Sequence, residues 1–337
     1  MKSIVIDAFG GDYAPEEIVK GALLGLAVQD DVVITLAGQE ERLRGLLMGK
    51  SYDEKRLNIL PASEVILTEE APVKALREKK DSSLVRALNM VAGGEAEVLI
   101  SSGSTGAVLS GATLIVKRIA GVKRPALAPL LPTAQGGQVL LVDCGANVDC
   151  RPAFLQQFAL MGSAYCEKML GKASPRVGLL NNGAEAGKGN ELSKEAYSLL
   201  EQTEGIRFVG NCEARYALSG EFDVIVADGF DGNILLKSIE GTAMTLMQML
   251  KQQLMSSTRA KLGAALAKPA LSTLKETFAY DKVGGALLLG VRGGIIKTHG
   301  NAKADAIAAA IGQGASFIEG RVVETIAASI AQSVERE

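Results

Sequence analysis

Glu97-Val-Leu-Ile-Ser-Ser-Gly-Ser-Thr-Gly-Ala-Val-Leu-Ser-Gly-Ala112 is the stretch that decides how the chain folds. An apolar run, Val98 to Ile100, halts at a loop of Gly, Ser and Thr, and an alanine-rich helical pattern follows at once. That order predicts a strand, a tight turn and a helix N-terminus. The first N–H groups of a helix have no partner within it, and the macrodipole adds partial positive charge, so an anion can settle there. Ser101, Ser102, Ser104 and Thr105 supply hydroxyls, while Gly103 and Gly106 let the backbone come close. The stretch reads either as a phosphate cradle or as an ordinary strand-to-helix turn. It is neither a Walker loop nor G-x-G-x-x-G, and alone it does not choose between them.

Outward from this stretch, strand signals alternate with helical patterns, which predicts an α/β chain with a mostly parallel sheet covered by helices on both faces. Ligands of such sheets bind beyond the carboxyl ends of the strands, so the strand-end loops carry the candidates. Ile4 to Ala8 is a strand ending in Phe9-Gly-Gly-Asp-Tyr-Ala-Pro-Glu-Glu17, which places Asp7, Gly10, Gly11 and Asp12 at a site edge, with helix capping as the other role open to Asp12. Val32 to Ala37 and Leu57 to Leu60 are strands around a helix at Glu40 to Leu47. Asp81-Ser82-Ser83 caps the next helix, Leu84 to Val91. Leu127 to Leu131 and Val139 to Val142 are strands, the second leading into Asp143-Cys-Gly-Ala-Asn147 and a helix from Pro152 to about Leu170.

After a strand at Val177 to Leu180 comes Gly187-Lys188-Gly189-Asn190, a lysine between two glycines, suited to an anionic substrate or a developing oxyanion. A strand at Val224 to Ala227 ends in Asp228-Gly-Phe-Asp-Gly-Asn233; here Asp231 reads as a simple N-cap, Asp228 as a ligand-facing carboxylate and Asn233 as capping or preceding a long helix. Helical patterns run from about Gly232 to Met255 and from Thr258 to Tyr280. The second has an apolar side at Leu262, Ala265, Leu266 and Leu271, flanked by Arg259, Lys261 and Lys268. That side suits core packing, a dimer surface, a partner groove or a membrane contact. Strand and turn patterns return at Gly284 to Gly290 and Gly294 to Gly300, with His299 a candidate ligand contact, before a terminal helix from about Lys303.

Composition narrows the functions. Lys and Arg number 36 against 38 Asp and Glu, which gives a nucleic-acid binder no basic excess to work with. Trp is absent and aromatics are 4%, so a core of Ala, Val, Leu and Ile is expected. No apolar run approaches a membrane span, and Met1 leads almost directly into a strand, so a cytoplasmic protein without a signal peptide is expected. Cys144, Cys150, Cys166 and Cys212 follow no zinc spacing and read as free thiols, Cys144 and Cys150 as small buried residues. No metal site and no cofactor are expected.

In order along nearly the whole chain stand Asp7-Ala-Phe-Gly-Gly-Asp12, Asp81-Ser-Ser83, Ser102-Gly-Ser-Thr-Gly-Ala107, Asp143-Cys-Gly-Ala-Asn-Val-Asp-Cys150, Gly187-Lys-Gly-Asn190, Asp228-Gly-Phe-Asp-Gly-Asn233 and Ile296-Lys-Thr-His-Gly300. With this set the chain closely resembles the bacterial acyl-acyl-carrier-protein:phosphate acyltransferases of phospholipid synthesis, the PlsX family. The resemblance implies a three-layer α/β/α fold, isocitrate/isopropylmalate dehydrogenase-like and phosphotransacetylase-related. It implies one large domain over 1–337, with 250–277 as a protruding helical tip. The implied reaction moves a long-chain fatty acyl group from acyl carrier protein to inorganic phosphate. The implied partners are acyl carrier protein, inorganic phosphate, a second copy of the chain, the inner face of the cell membrane and the downstream acyltransferase that consumes acyl-phosphate. By position, Lys188 and Asp228 are the residues most needed for catalysis, with His299 as a helper. Phosphate and substrate contacts fall on Asp7, Gly10, Gly11, Asp12, Ser102, Gly103, Ser104, Thr105, Gly106, Asp143, Asn147, Asn190 and Asn233. The tip contacts fall on Leu254, Leu262, Ala265 and Leu266. Two positions depart from the family pattern: Ala184 stands where an acidic residue is usual, and Ser104 where an Asn is usual. A nicotinamide-dependent decarboxylating dehydrogenase of the same fold and a non-catalytic membrane-surface adaptor are the alternatives. Arg77, Lys79, Lys80, Arg259, Lys261 and Lys268 are carrier-contact candidates on charge.

Overall fold

The structure is a computed structural model that describes residues 1–277 and 284–334. Twelve strands among the described residues form two sheets. The first contains β1 (Lys2–Asp7), β2 (Val32–Gly38), β3 (Leu57–Pro61), β4 (Val98–Ser101), β5 (Ala126–Ala128), β11 (Ala286–Leu289) and β12 (Gly294–Lys297) in the order β3-β2-β1-β4-β12-β11-β5. The second contains β6 (Leu130–Pro132), β7 (Gln138–Val142), β8 (Arg176–Asn181), β9 (Arg207–Glu213) and β10 (Val224–Val226) in the order β6-β7-β10-β8-β9. Pairing is parallel except between β11 and β12, β11 and β5, and β6 and β7. The strand that the sequence suggests at Leu127 to Leu131 is two strands, one in each sheet. Pro129 separates them, because it has no N–H to donate to a ladder.

Side-chain alternation builds the layers. In the first sheet Ile4, Ile6, Val98 and Ile100 face α1 (Glu16–Val28) and α10 (Ala304–Glu319), while Val5 and Leu99 face α4 (Ser83–Ala92) and α5 (Thr105–Gly111). In the second sheet Leu140, Val142, Val224 and Val226 face α6 (Pro152–Met169), and Leu141 and Ile225 face the base of α8 (Gly229–Leu254). One buried cluster runs continuously beneath both sheets, through α1, α6, α10 and α11 (Val322–Val334). With no Trp to fill gaps, close backbone approach does the packing. A β-carbon on Gly21 or Gly25 would run into Ile307 or Ile311 of α10.

Several boundaries differ from the expected ones. The expected terminal helix is two helices, α10 and α11, broken at Gly320 and at Arg321, whose φ of 49° is left-handed. The helix α8 starts at Gly229 rather than about Gly232, because Asp228 caps it. Helix α9 spans Thr258–Thr277, and the expected end at Tyr280 lies outside the described residues. The Ser256-Ser257 break between α8 and α9 stands where the sequence puts it. Among the described residues no helix is long and apolar enough to cross a membrane.

Candidate active site

The carboxyl ends of β1, β4 and β12 lie side by side and bring three sequence motifs together. Asp7, the last residue of β1, is buried, and its Oδ1 and Oδ2 accept the hydroxyls of Ser83 at 2.6 Å and Ser101 at 2.7 Å. Burial pushes this carboxyl up from its ordinary value, against the pull of the two serines. Gly10 passes so close that a β-carbon there would collide with the Asp7 carboxylate and lie 2.8 Å from the Gly103 nitrogen. Gly11, at φ 110°, would put one 3.0 Å from the Gly300 carbonyl. Both glycines are required by close approach, which explains the Gly-Gly pair. Ser102 shares a 2.6 Å hydrogen bond with Thr298, and the Thr298 N–H donates to the Ser101 carbonyl at 3.0 Å, locking the 102–105 loop to the end of β12.

These ends open into a cavity of about 440 Å³ at the seam between the sheets. Asp12, Ser102, Gly103, Ser104, Thr105, Lys297 and His299 give its lining polar groups. Leu127, Pro129, Leu130 and Leu236 give it apolar ones. Asn233 and Lys237, four residues apart on one face of α8, also line it; the Lys237 ammonium is 2.7 Å from Glu240.

The other predicted residues gather at the carboxyl ends of the second sheet. Asp143 does not line the cavity. Its carboxylate is buried and accepts the N–H groups of Leu127 at 2.8 Å, Ala146 at 3.1 Å and Asn147 at 2.7 Å, and the Asn147 amide at 2.9 Å. Burial pushes this carboxyl up as well, with the Asn147 amide pulling against it. Asn147 also donates to the Pro125 carbonyl at 2.8 Å, so both residues use their hydrogen bonds inside the fold. Asp228, rather than Asp231, is the N-cap of α8, accepting the N–H groups of Phe230 and Asp231, each at 2.9 Å. Asn233 therefore sits inside the helix instead of capping it. Burial and the neighbouring Asp228 push the Asp231 carboxyl up. Asn190 caps α7 (Glu191–Glu201), accepting from the Ser193 N–H at 2.9 Å. Lys188 is exposed beyond β8 with its stem lying over Gly183, outside the cavity lining. Gly106 lies behind the loop, against Pro72. Of the predicted set, the cavity unites Asp12, Ser102 to Thr105, Asn233 and His299.

Sequence reasoning passed over Lys297, Thr298, Lys237 and the apolar lining. For Lys297 a signal was present: it is the only charge in the strand Gly294–Lys297 and ends it beside the first of the candidate loops. Its side chain is 8% exposed and its ammonium donates to the Thr298 carbonyl. Burial pulls its pKa down to about 8, although Asp7 and Asp12 pull the other way. Among the thiols, burial pushes Cys144 well above the ordinary range and Cys150 up to about 12; Cys144 is the small buried residue that the sequence suggests, while Cys150 is only half-buried against the core.

The fold is that of the phosphotransacetylases. The chain superimposes on a phosphotransacetylase from Streptococcus pyogenes with a TM-score of 0.61 at 20% identity, covering 94% of each chain. It also superimposes on a 4-hydroxythreonine-4-phosphate dehydrogenase from Klebsiella pneumoniae with a TM-score of 0.54 at 13% identity, covering 97% of this chain and 99% of that one. Within this fold the chain belongs to the family described as fatty acid synthesis protein, whose model matches residues 2–325. A relative from Geobacillus thermodenitrificans named phosphate acyltransferase is 49% identical over 328 residues, 97% of this chain and 98% of that protein. One from Clostridium botulinum, strain Loch Maree, bears the same name at 46% identity over 332 residues, 98% of each.

Proposed function

We propose that the chain is an acyltransferase that moves a long-chain acyl group from acyl-acyl carrier protein to inorganic phosphate, releasing acyl-phosphate for glycerophospholipid synthesis. The observation that carries this reading is the mixed lining of the cavity, which joins the hydroxyls and glycine backbone of Ser102 to Thr105 to Leu127, Leu130 and Leu236. The polar groups suit an anion and the apolar ones suit the carbons next to a thioester. Relatives at 46 to 49% identity over nearly the whole chain carry the matching name.

In the reaction, a phosphate oxygen attacks the thioester carbonyl, the carbon–sulfur bond breaks, and the carrier thiolate leaves and takes a proton. Phosphate is already ionised near neutral pH, so positioning supplies much of the rate. His299, on the cavity lining, stabilises the oxyanion. Lys188 and Asp228, which stand at neighbouring strand ends outside that lining, are the residues that the family resemblance adds, the lysine as a second positive charge and the aspartate as the group that positions it. The large single domain with its 250–277 tip works as a homodimer that touches the membrane peripherally, passing acyl-phosphate to the acyltransferase that consumes it. The dehydrogenase reading is not favoured, because no arginine of the described residues lines the cavity to receive a polycarboxylate.

The test is acyl-phosphate formation from palmitoyl-acyl carrier protein and inorganic phosphate, for wild type and Lys188→Ala. Wild type should turn over, and the variant should lose about two to three orders of magnitude in kcat. A folded variant with undiminished kcat would remove Lys188 from the chemistry, and an inactive folded wild type would remove the reaction.

A further inference from the structure

We infer that Lys297 is the cation that binds the attacking inorganic phosphate, its ammonium meeting a phosphate oxygen on the wall formed by the 102–105 loop. This rests on the acyl-phosphate reading above and adds a residue to it. Lys297 is paired in register with Ser101, the residue before the loop, so the strand ladder itself fixes the ammonium beside Ser102 to Thr105.

The surroundings show that this lysine does not serve as half of a core ion pair. The acid whose charge acts on it most, Asp7, spends both oxygens on Ser83 and Ser101. No carboxylate of a described residue lies within 4.0 Å of the Lys297 Nζ, whose hydrogen bond runs to the Thr298 carbonyl. An ammonium has three donors, and a buried one that is unpaired is costly unless an anion meets it. An apolar residue of similar shape would serve a purely structural role better. The lysine lines the cavity, so the anion has room to arrive.

The groups that face Lys297 are Asp7 from β1, Asp12 from the following loop, Lys237 and Glu240 from α8, and His299 two residues on. Burial outweighs the two aspartates and lowers its pKa to about 8, while Lys237 pushes the same way as burial. The ammonium is therefore charged below that value and progressively neutral above it. Affinity for phosphate should fall as pH rises through about 8 in the free enzyme, which the profile of kcat/KM for phosphate reports.

The experiment compares wild type, Lys297→Met and Lys297→Arg in the full chain. Acyl transfer is followed at varied phosphate, and inorganic phosphate alone is titrated calorimetrically without acyl donor. The methionine variant should keep or raise the melting temperature and raise the KM for phosphate by about 30-fold or more, as for a lost buried charged hydrogen bond. The KM for acyl-acyl carrier protein should stay unchanged. The arginine variant, charged at all accessible pH values, should lose the fall in kcat/KM above pH 8. A folded methionine variant with wild-type KM for phosphate overturns the inference, as does an arginine variant that keeps the alkaline fall. If wild type binds phosphate through Lys297 in the titration but makes no acyl-phosphate, the reaction fails and the phosphate site stands.

Discussion

Asp223 and Arg176 show how one residue pair fixes the start of two strands. Asp223 stands immediately before β10, and its carboxylate accepts from the Arg176 N–H at 2.9 Å, from Nε at 2.9 Å and from Nη2 at 3.1 Å, with the Lys172 ammonium 3.4 Å away. Burial pushes the Asp223 carboxyl up, but the Arg176 bonds and the Lys172 charge outweigh it and hold the group below its ordinary value. A carboxylate held low in the folded state adds stability above its unfolded pKa, and that stability is lost as pH falls through the folded pKa. Arg176→Met should cost about 2 to 3 kcal/mol at neutral pH, less than a fully buried pair because the arginine side chain is 33% exposed. Urea unfolding at pH 7 and again in the acid range checks this: the gap between wild type and variant should narrow as Asp223 protonates. A constant gap would mean that the arginine acts through packing. At this scale the sequence was a partial guide. It marked the ends of strands as the place to look, and Ser102, Thr105 and His299 are there. Whether a polar group such as Asn147 or Asp228 faces a ligand or its own backbone depends on turn geometry that residue type does not reveal.

Among the elements, α8 couples the two halves of the site to the surface. It begins at the Asp228 cap, runs past the cavity with Asn233, Leu236 and Lys237, and spans 26 residues in all, about 39 Å. Beyond the cavity it stands largely in solvent, as does α9. Met244 is 75% exposed, Leu262 67% and Leu266 79%. In the segment proposed as a tip, Leu262, Ala265 and Leu266 are exposed, while Leu254 is half-buried and Met244, Leu246, Met249 and Met255 join the exposed set. The basic residues Arg259, Lys261 and Lys268 flank it. Replacing Leu262 and Leu266 together by Gln should leave stability within about 0.5 kcal/mol, because neither side chain packs in the core. It should weaken co-sedimentation with vesicles of anionic lipid. Undiminished vesicle binding by the double variant would take membrane contact away from these two leucines. The helical spacing of Leu262, Ala265 and Leu266 made the helix legible in the sequence, but whether that side packs in the core or stands in solvent depends on neighbours that the spacing does not show.

At the scale of the whole molecule, the division into two sheets was the feature that the sequence concealed. Leu127 to Leu131 reads as one apolar strand, and only pairing partners far away in the chain assign its halves to β11 and β7. Pro129 lets the strand change sheets, and Asp143 rivets the crossing. Its Oδ1 holds the Leu127 N–H from the first sheet, its backbone N–H donates to the Ala227 carbonyl beyond β10 at 3.0 Å, and the Cys144 N–H donates to the Leu127 carbonyl at 2.9 Å. A β-carbon on Gly232 would overlap the Asp143 carbonyl, so α8 also closes on this point. The cavity sits on the seam that Asp143 ties, which makes the residue a determinant of the shape of the site without lining it. An amide in place of this carboxylate would turn an NH2 toward N–H donors that need an acceptor. Asp143→Asn should therefore cost about 2 to 4 kcal/mol. Urea denaturation should show a lower midpoint with an unchanged slope, and activity should fall in step with the loss of the ordered seam. Wild-type stability combined with lost turnover would instead place Asp143 in the chemistry, because a residue that acts only by joining two sheets cannot be changed without loosening them.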